Sequence, residues 1–117
     1  MKIGKFEEII AWQKALDFSV LIYASFQELR DISFREQIQR AVVSVMNNIA
    51  EGFERQTDRE FKQFLFIAKG SCAEVRSMLH LAKALNYIAS NETEYLIVTS
   101  NEIGRILSGL IKSLNVQ

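Results

Sequence analysis

Thr57-Asp-Arg-Glu-Phe-Lys-Gln-Phe-Leu-Phe-Ile-Ala-Lys-Gly-Ser-Cys-Ala-Glu-Val-Arg-Ser-Met-Leu-His-Leu-Ala82 is the longest regular stretch of the chain and decides its fold class. Phe61, Phe64, Leu65, Ala68, Cys72, Val75, Leu79 and Ala82 recur at three- and four-residue steps, the period of an α-helix with one buried face. The stretch opens on Thr57 with Glu60 three residues later. In that arrangement the first side chain accepts from an orphan backbone N–H and the glutamate reaches back to the cap residue.

Working outward, the same period recurs three more times. Trp12, Ala15, Leu16, Ile22, Tyr23, Phe26 and Leu29 form one pattern, and Ile38, Ala41, Val42, Val45 and Ile49 a second. Leu96, Ile103, Ile106, Leu107, Leu110 and Leu114 form the last, and no segment alternates as a strand would. Ser33-Phe-Arg-Glu36 and Asn91-Glu-Thr-Glu94 repeat the capping pattern, and Gly52 is placed to end the second helix in a left-handed turn. The spacing predicts helices over about 7–29, 34–52, 58–86 and 92–114. Linkers this short predict an all-α, antiparallel, up-down-up-down four-helix bundle filling residues 1–117 as a single domain.

Composition agrees. The 117 residues contain no proline, where average usage near ~5% would supply about six, so long uninterrupted helices are expected. Cys72 is the single cysteine, which rules out an intrachain disulfide scaffold. The first residues carry no apolar signal core, and no apolar run approaches the ~18 residues needed to span a bilayer. A cytoplasmic, reducing location with no membrane partner is the expectation. Fourteen Lys+Arg against fourteen Asp+Glu leave no net charge to announce a polyanionic partner.

The helix faces say more. Opposite the core seam of the third helix lie Phe66, Gly70, Ala73, Ser77, Leu81 and Ala84, a small apolar face where a surface helix carries charge. A helix apolar on two sides is packed on two sides, so this face is a candidate interface between copies of the chain. The competing reading is a scatter of exposed apolar residues, which soluble proteins tolerate. Along one flank Lys62, Lys69, Arg76 and Lys83 fall at seven-residue intervals. Repeated around a ring of subunits, such a ridge would concentrate positive charge that could follow a phosphate backbone. The plainer alternative is a solvated flank whose lysine stems cover apolar surface.

A catalytic constellation is missing. His80 is the sole histidine, and Ser77 stands where a di-iron bundle would need glutamate three residues before it. Cys72 lies on the core seam and His80 on a flank, so they do not pair as nucleophile and base. No phosphate-binding glycine loop occurs. No metal or cofactor is expected. The densest polar cluster, Asn47-Asn48-Ile-Ala-Glu51-Gly52 with Glu54 and Arg55, turns Asn48 toward the core, where an amide needs partners. Asn48 and Glu51 read either as a structural polar cluster fixing register or as the lip of a ligand site. Glu51 and Arg55 stand four apart and can pair along a helix surface.

Trp12-Gln-Lys-Ala, Gln37-Ile-Gln-Arg40-Ala-Val-Val-Ser44, Asn48-Ile-Ala-Glu-Gly52, Glu60-Phe-x-x-Phe-Leu65, Ala68-x-Gly-Ser71 and Gly109-Leu-Ile-Lys-Ser-Leu114 together resemble the four-helix-bundle family encoded in intervening sequences of bacterial 23S rRNA genes. The resemblance covers nearly the whole chain. A related branch is the accessory variability protein of diversity-generating retroelements, which works with a reverse transcriptase and RNA. The family implies a homopentameric ring without enzymatic activity and with a basic surface for nucleic acid. The chain departs from the pattern at Val45-Met46-Asn47, where the family commonly has Ile-Pro-Ser, and in a short first connection. The expectation is therefore a non-enzymatic homo-oligomer binding structured RNA or DNA through Lys62, Lys69, Arg76 and Lys83, with Arg40, Arg55 and Arg59 as further candidates. The alternative is a scaffold for a protein partner such as a reverse transcriptase, with no nucleic-acid contact.

Overall fold

The computed structural model describes residues 3–114. Among them are four α-helices and no strand: α1 (Ile10–Phe26), α2 (Ile32–Phe53), α3 (Asp58–Ala84) and α4 (Ser90–Ser113), preceded by a short 3₁₀ turn at Phe6–Glu8.

The two ends of α3 have clear local causes. At its start the Thr57 hydroxyl accepts from the Glu60 N–H at 3.2 Å, while the Glu60 carboxylate lies 3.1 Å from the same hydroxyl. Asp58 and Glu60 place negative charge at the positive end of the helix dipole. At its finish Asn86 adopts the left-handed conformation (φ 57°). The Asn86 N–H then reaches Lys83 O at 3.1 Å and the Tyr87 N–H reaches Ala82 O at 2.9 Å, the paired bonds of a Schellman ending. Asparagine takes this conformation because its short polar side chain tolerates it.

Other boundaries differ from the sequence expectation. The cap of α2 is Asp31, whose side chain accepts from the Phe34 N–H, so Ser33 lies inside the helix. Helix α4 begins at Ser90 with Ala89 at the cap position, so Asn91 is already in the first turn. Helix α1 starts only at Ile10, because Ile9 is extended and buried and separates it from the 3₁₀ turn. Gly52 is not a left-handed stop. It lies within α2 with an ordinary helical backbone, and a Cβ there would stand 2.5 Å from Phe64 Cβ. Its missing side chain lets α2 and α3 approach closely at the corner they share.

Each helix packs on two neighbours, in the cyclic order α1, α2, α3, α4, with α1 and α3 diagonal to one another. The contacts pair late residues of one helix with early residues of the next. Phe26 meets Phe34 with ring centroids 5.6 Å apart, and Phe53 meets Phe61 with centroids 5.7 Å apart. Phe18, Ile22, Ile38, Ile49, Leu65, Leu79, Leu96, Ile103 and Leu107 fill the centre and are fully buried. Burying each such side chain contributes roughly 1.5–3 kcal/mol before entropy is charged against it. Buried Ser19, Thr93 and Ser100 do not interrupt the core, because each hydroxyl donates to a carbonyl three or four residues back. None of the described helices is long and apolar enough to cross a membrane.

Candidate nucleic-acid interface

The flank of α3 that carries the seven-residue basic series faces α4. Three of the four expected residues, Lys62, Lys69 and Arg76, line the groove between the two helices. Across it stand Arg105 and Lys112, also seven apart. Two shallow depressions share Lys69, Ser108 and Lys112 and so form one trough. No carboxylate lines it, and none of the five cations has an ion-pair partner among the described residues. Seven residues of helix advance about 10.5 Å, so the α3 row extends about 21 Å from Lys62 to Arg76.

The floor of the trough is low. Gly104, Ser108 and Gly109 line it, and a Cβ added at either glycine meets nothing within 4 Å. Glycine inside a helix costs about 1 kcal/mol relative to alanine. Packing within the protomer gives no reason for that cost at Gly104 or Gly109, in contrast to Gly52.

Lys83, the fourth residue of the expected ridge, lies elsewhere. Its Nζ is 3.0 Å from Glu94 Oε1, and it does not line the trough. The further candidates lie on other surfaces. Arg40 belongs to the α2–α3 side with Gln37, Ser44, Ser71 and Glu74. Arg55 lies just past the end of α2, 3.1 Å from Glu51 and 4.8 Å above the Phe64 ring. Arg59 is in the first turn of α3. Sequence reasoning missed Arg105 and Lys112, which lie on α4. Their spacing was visible, but the neighbour of that flank was not.

Asn48 turns toward α3. Its amide donates to Ser44 O at 2.8 Å and to Ser44 Oγ at 2.9 Å, and that hydroxyl meets Ser71 Oγ. The string ties α2 to α3 through neutral groups, with Gln37 and Glu74 adding a bond of 3.4 Å further along. Glu51 is taken up by Arg55 and does not join it. Among the described residues no three His, Cys, Asp or Glu side chains gather as a metal set, and no buried side-chain polar atom lacks a partner.

The six residues of the apolar face on α3 are not covered within the protomer. Phe66 and Leu81 remain 54% and 49% exposed, and Gly70, Ser77 and Ala84 are exposed beside them, with Ala73 half-buried. Ile67 and Leu85 widen the strip. A second exposed apolar strip, Leu16, Val20 and Tyr23, runs along the diagonal helix α1.

Fold and trough together define a small all-α protein of four helices around one core, distinguished by a cationic groove between its last two helices. The chain belongs to the 23S rRNA-intervening sequence protein family, whose sequence model matches residues 7–109. A solved structure from Bacteroides thetaiotaomicron, a protein of unknown function from the S23 ribosomal protein family, is similar at 28% identity with a TM-score of 0.83. That likeness covers 88% of this chain and 99% of the other. No curated protein matches the chain.

Proposed function

We propose that this chain is a non-enzymatic cytoplasmic protein that folds as an antiparallel up-down-up-down bundle, assembles with copies of itself and holds RNA or DNA electrostatically. The observation that carries the reading is the carboxylate-free trough lined by Lys62, Lys69, Arg76, Arg105 and Lys112. Lysines and arginines in two rows neutralise phosphates and do not read base edges, so affinity should be salt-dependent and nearly sequence-independent. If all five cations met phosphates, log K would fall with log salt at a slope of roughly −3.5 on a single strand. The pairings of late with early residues, Phe26 with Phe34 and Phe53 with Phe61, support the antiparallel arrangement. The uncovered strip of α3 supports self-association, and the family resemblance supplies a ring of five.

Native mass spectrometry on protein purified without nuclease tests both parts. A multiple of the chain mass carrying extra nucleotide mass is expected. Lys69→Glu with Arg76→Glu should remove the nucleotide and leave helix content unchanged. Unaltered, salt-sensitive binding in that double variant would overturn the assignment of the trough. A protein partner such as a reverse transcriptase is the second reading, favoured by the exposed Leu16, Val20 and Tyr23 strip, where no charge row competes. Capture of such a partner that survives nuclease and high salt would support it.

A further inference from the structure

Resting on the nucleic-acid reading above, we propose that the trough takes a single strand and not a duplex, with Phe66 as the platform on which an unpaired base stacks. Phe66 lines the trough together with Lys62, Lys69, Ser108, Ile111 and Lys112. It stands between two lysines of its own helix and faces a third across the groove. An aromatic ring is a poor occupant of such a place unless something flat covers it. Phe66 is 54% exposed, and none of the aromatic pairs among the described residues includes it. The core of the protomer gains little from it.

A cationic track with an aromatic face beside it is the arrangement that binds single strands without regard to sequence, because every base has a π-face and every link a phosphate. A duplex hides its base faces in the stack, so Phe66 would gain nothing from one. The relief agrees. Gly104 and Gly109 leave open space along the α4 side, where a Cβ would meet no protein atom, and the backbone of a strand can lie close to the helix there. Phe66 sits at the groove-side edge of the apolar strip on α3. Gly70, Leu81 and Ile67 lie further round the helix, so self-association through them leaves the ring free.

The test is fluorescence anisotropy with labelled fifteen-nucleotide oligo-dT, oligo-rU and a fifteen-base-pair DNA duplex, for the full chain and three variants. The wild type should bind both single strands more tightly than the duplex. Phe66→Leu should weaken single-strand binding roughly 5- to 150-fold, the range expected for losing one stacked base, and leave duplex binding unchanged. Phe66→Trp should keep the preference. Lys69→Glu with Lys112→Glu should weaken every probe. Equal affinity for strand and duplex, or a Phe66→Leu variant that binds as the wild type does, overturns the stacking role while the phosphate trough stands. A Phe66→Leu variant that changes native mass instead assigns the ring to a subunit contact and also overturns it. No binding of any probe at low salt overturns both this inference and the reading beneath it.

Discussion

The phenolic hydroxyl of Tyr87 donates to Asp31 Oδ2 at 2.6 Å, while Asp31 Oδ1 accepts the Phe34 N–H that opens α2. Tyr87 is the residue that completes the Schellman ending of α3, and its ring lies edge-on to Phe34 at 5.2 Å. One carboxylate therefore couples the start of α2 to the finish of α3, two ends 56 residues apart in the chain.

That carboxylate should titrate low. The Tyr87 hydroxyl first, and the Phe34 N–H second, hold Asp31 below the ordinary carboxylate range, and the same bond raises Tyr87. A lowered folded value means the contribution is present above the unfolded value and is lost as pH falls through the folded one. Side-chain carboxyl titration by NMR should show the Asp31 transition moving upward in Tyr87→Phe. Asp31→Asn keeps a good helix cap and should flatten the acid limb of the stability profile. An Asp31 transition at the same pH in Tyr87→Phe would show that the tyrosine does not set it.

Gly52→Ala should be costly. The new methyl would stand 2.5 Å from Phe64 Cβ, an atom too close to its own backbone to swing aside. The α2–α3 corner must then open, at about 1–3 kcal/mol or more, the usual range for overpacking. Urea denaturation reads the loss directly, and a variant as stable as the wild type would mean that the corner yields freely.

Gly104→Ala and Gly109→Ala should do the reverse. Both positions are helical with open space around the added carbon, so each change should stabilise the protomer by about 0.5–1 kcal/mol. The same methyls raise the trough floor and should weaken oligonucleotide binding. Denaturation and anisotropy on the same samples separate the two effects. A gain in stability with no loss of binding would clear the floor of any role in contact.

Cys72 should be chemically silent. Burial pushes its thiol up to about 11, with the nearby Arg76 only partly offsetting this, and its Sγ lies 3.2 Å from Ser100 O. The native thiolate fraction at neutral pH is on the order of 10⁻⁴, so labelling by thiol reagents should track unfolding. The raised value also makes the fold less stable in alkali. The unfolded thiol ionises first, and between its ordinary value and about 11 the stability due to this group falls by about 1.4 kcal/mol per pH unit. Cys72→Ala should remove that component of the alkaline slope, seen in denaturation midpoints from pH 8 to 10.5.

How much of this was legible depends on what each feature is made of. The α3 seam and its Thr57–Glu60 start are local, three to four residues apart, and sequence reads such patterns well. The choice between Asp31 and Ser33 as the cap of α2 was not local. Asp31 is also held from outside by Tyr87, a contact 56 residues away. Gly52 carried two meanings, chain reversal and close approach, and only the position of Phe64 decides between them. The basic trough was half visible. Lys62, Lys69 and Arg76 declare themselves by spacing, but Arg105 and Lys112 join them only because α4 lies on that flank of α3. Lys83 had the right spacing and the wrong neighbour, Glu94.

Five cations gathered along one groove of a chain with zero formal charge leave the compensating negative excess on its remaining surface. Such a molecule carries a dipole, and an anionic polymer exerts a torque on it before any contact is made. Encounters are then oriented as well as attracted, at distances out to about 10 Å in ordinary salt. Electrical neutrality here is a matter of the sum, and a partner approaching from one side never meets the sum.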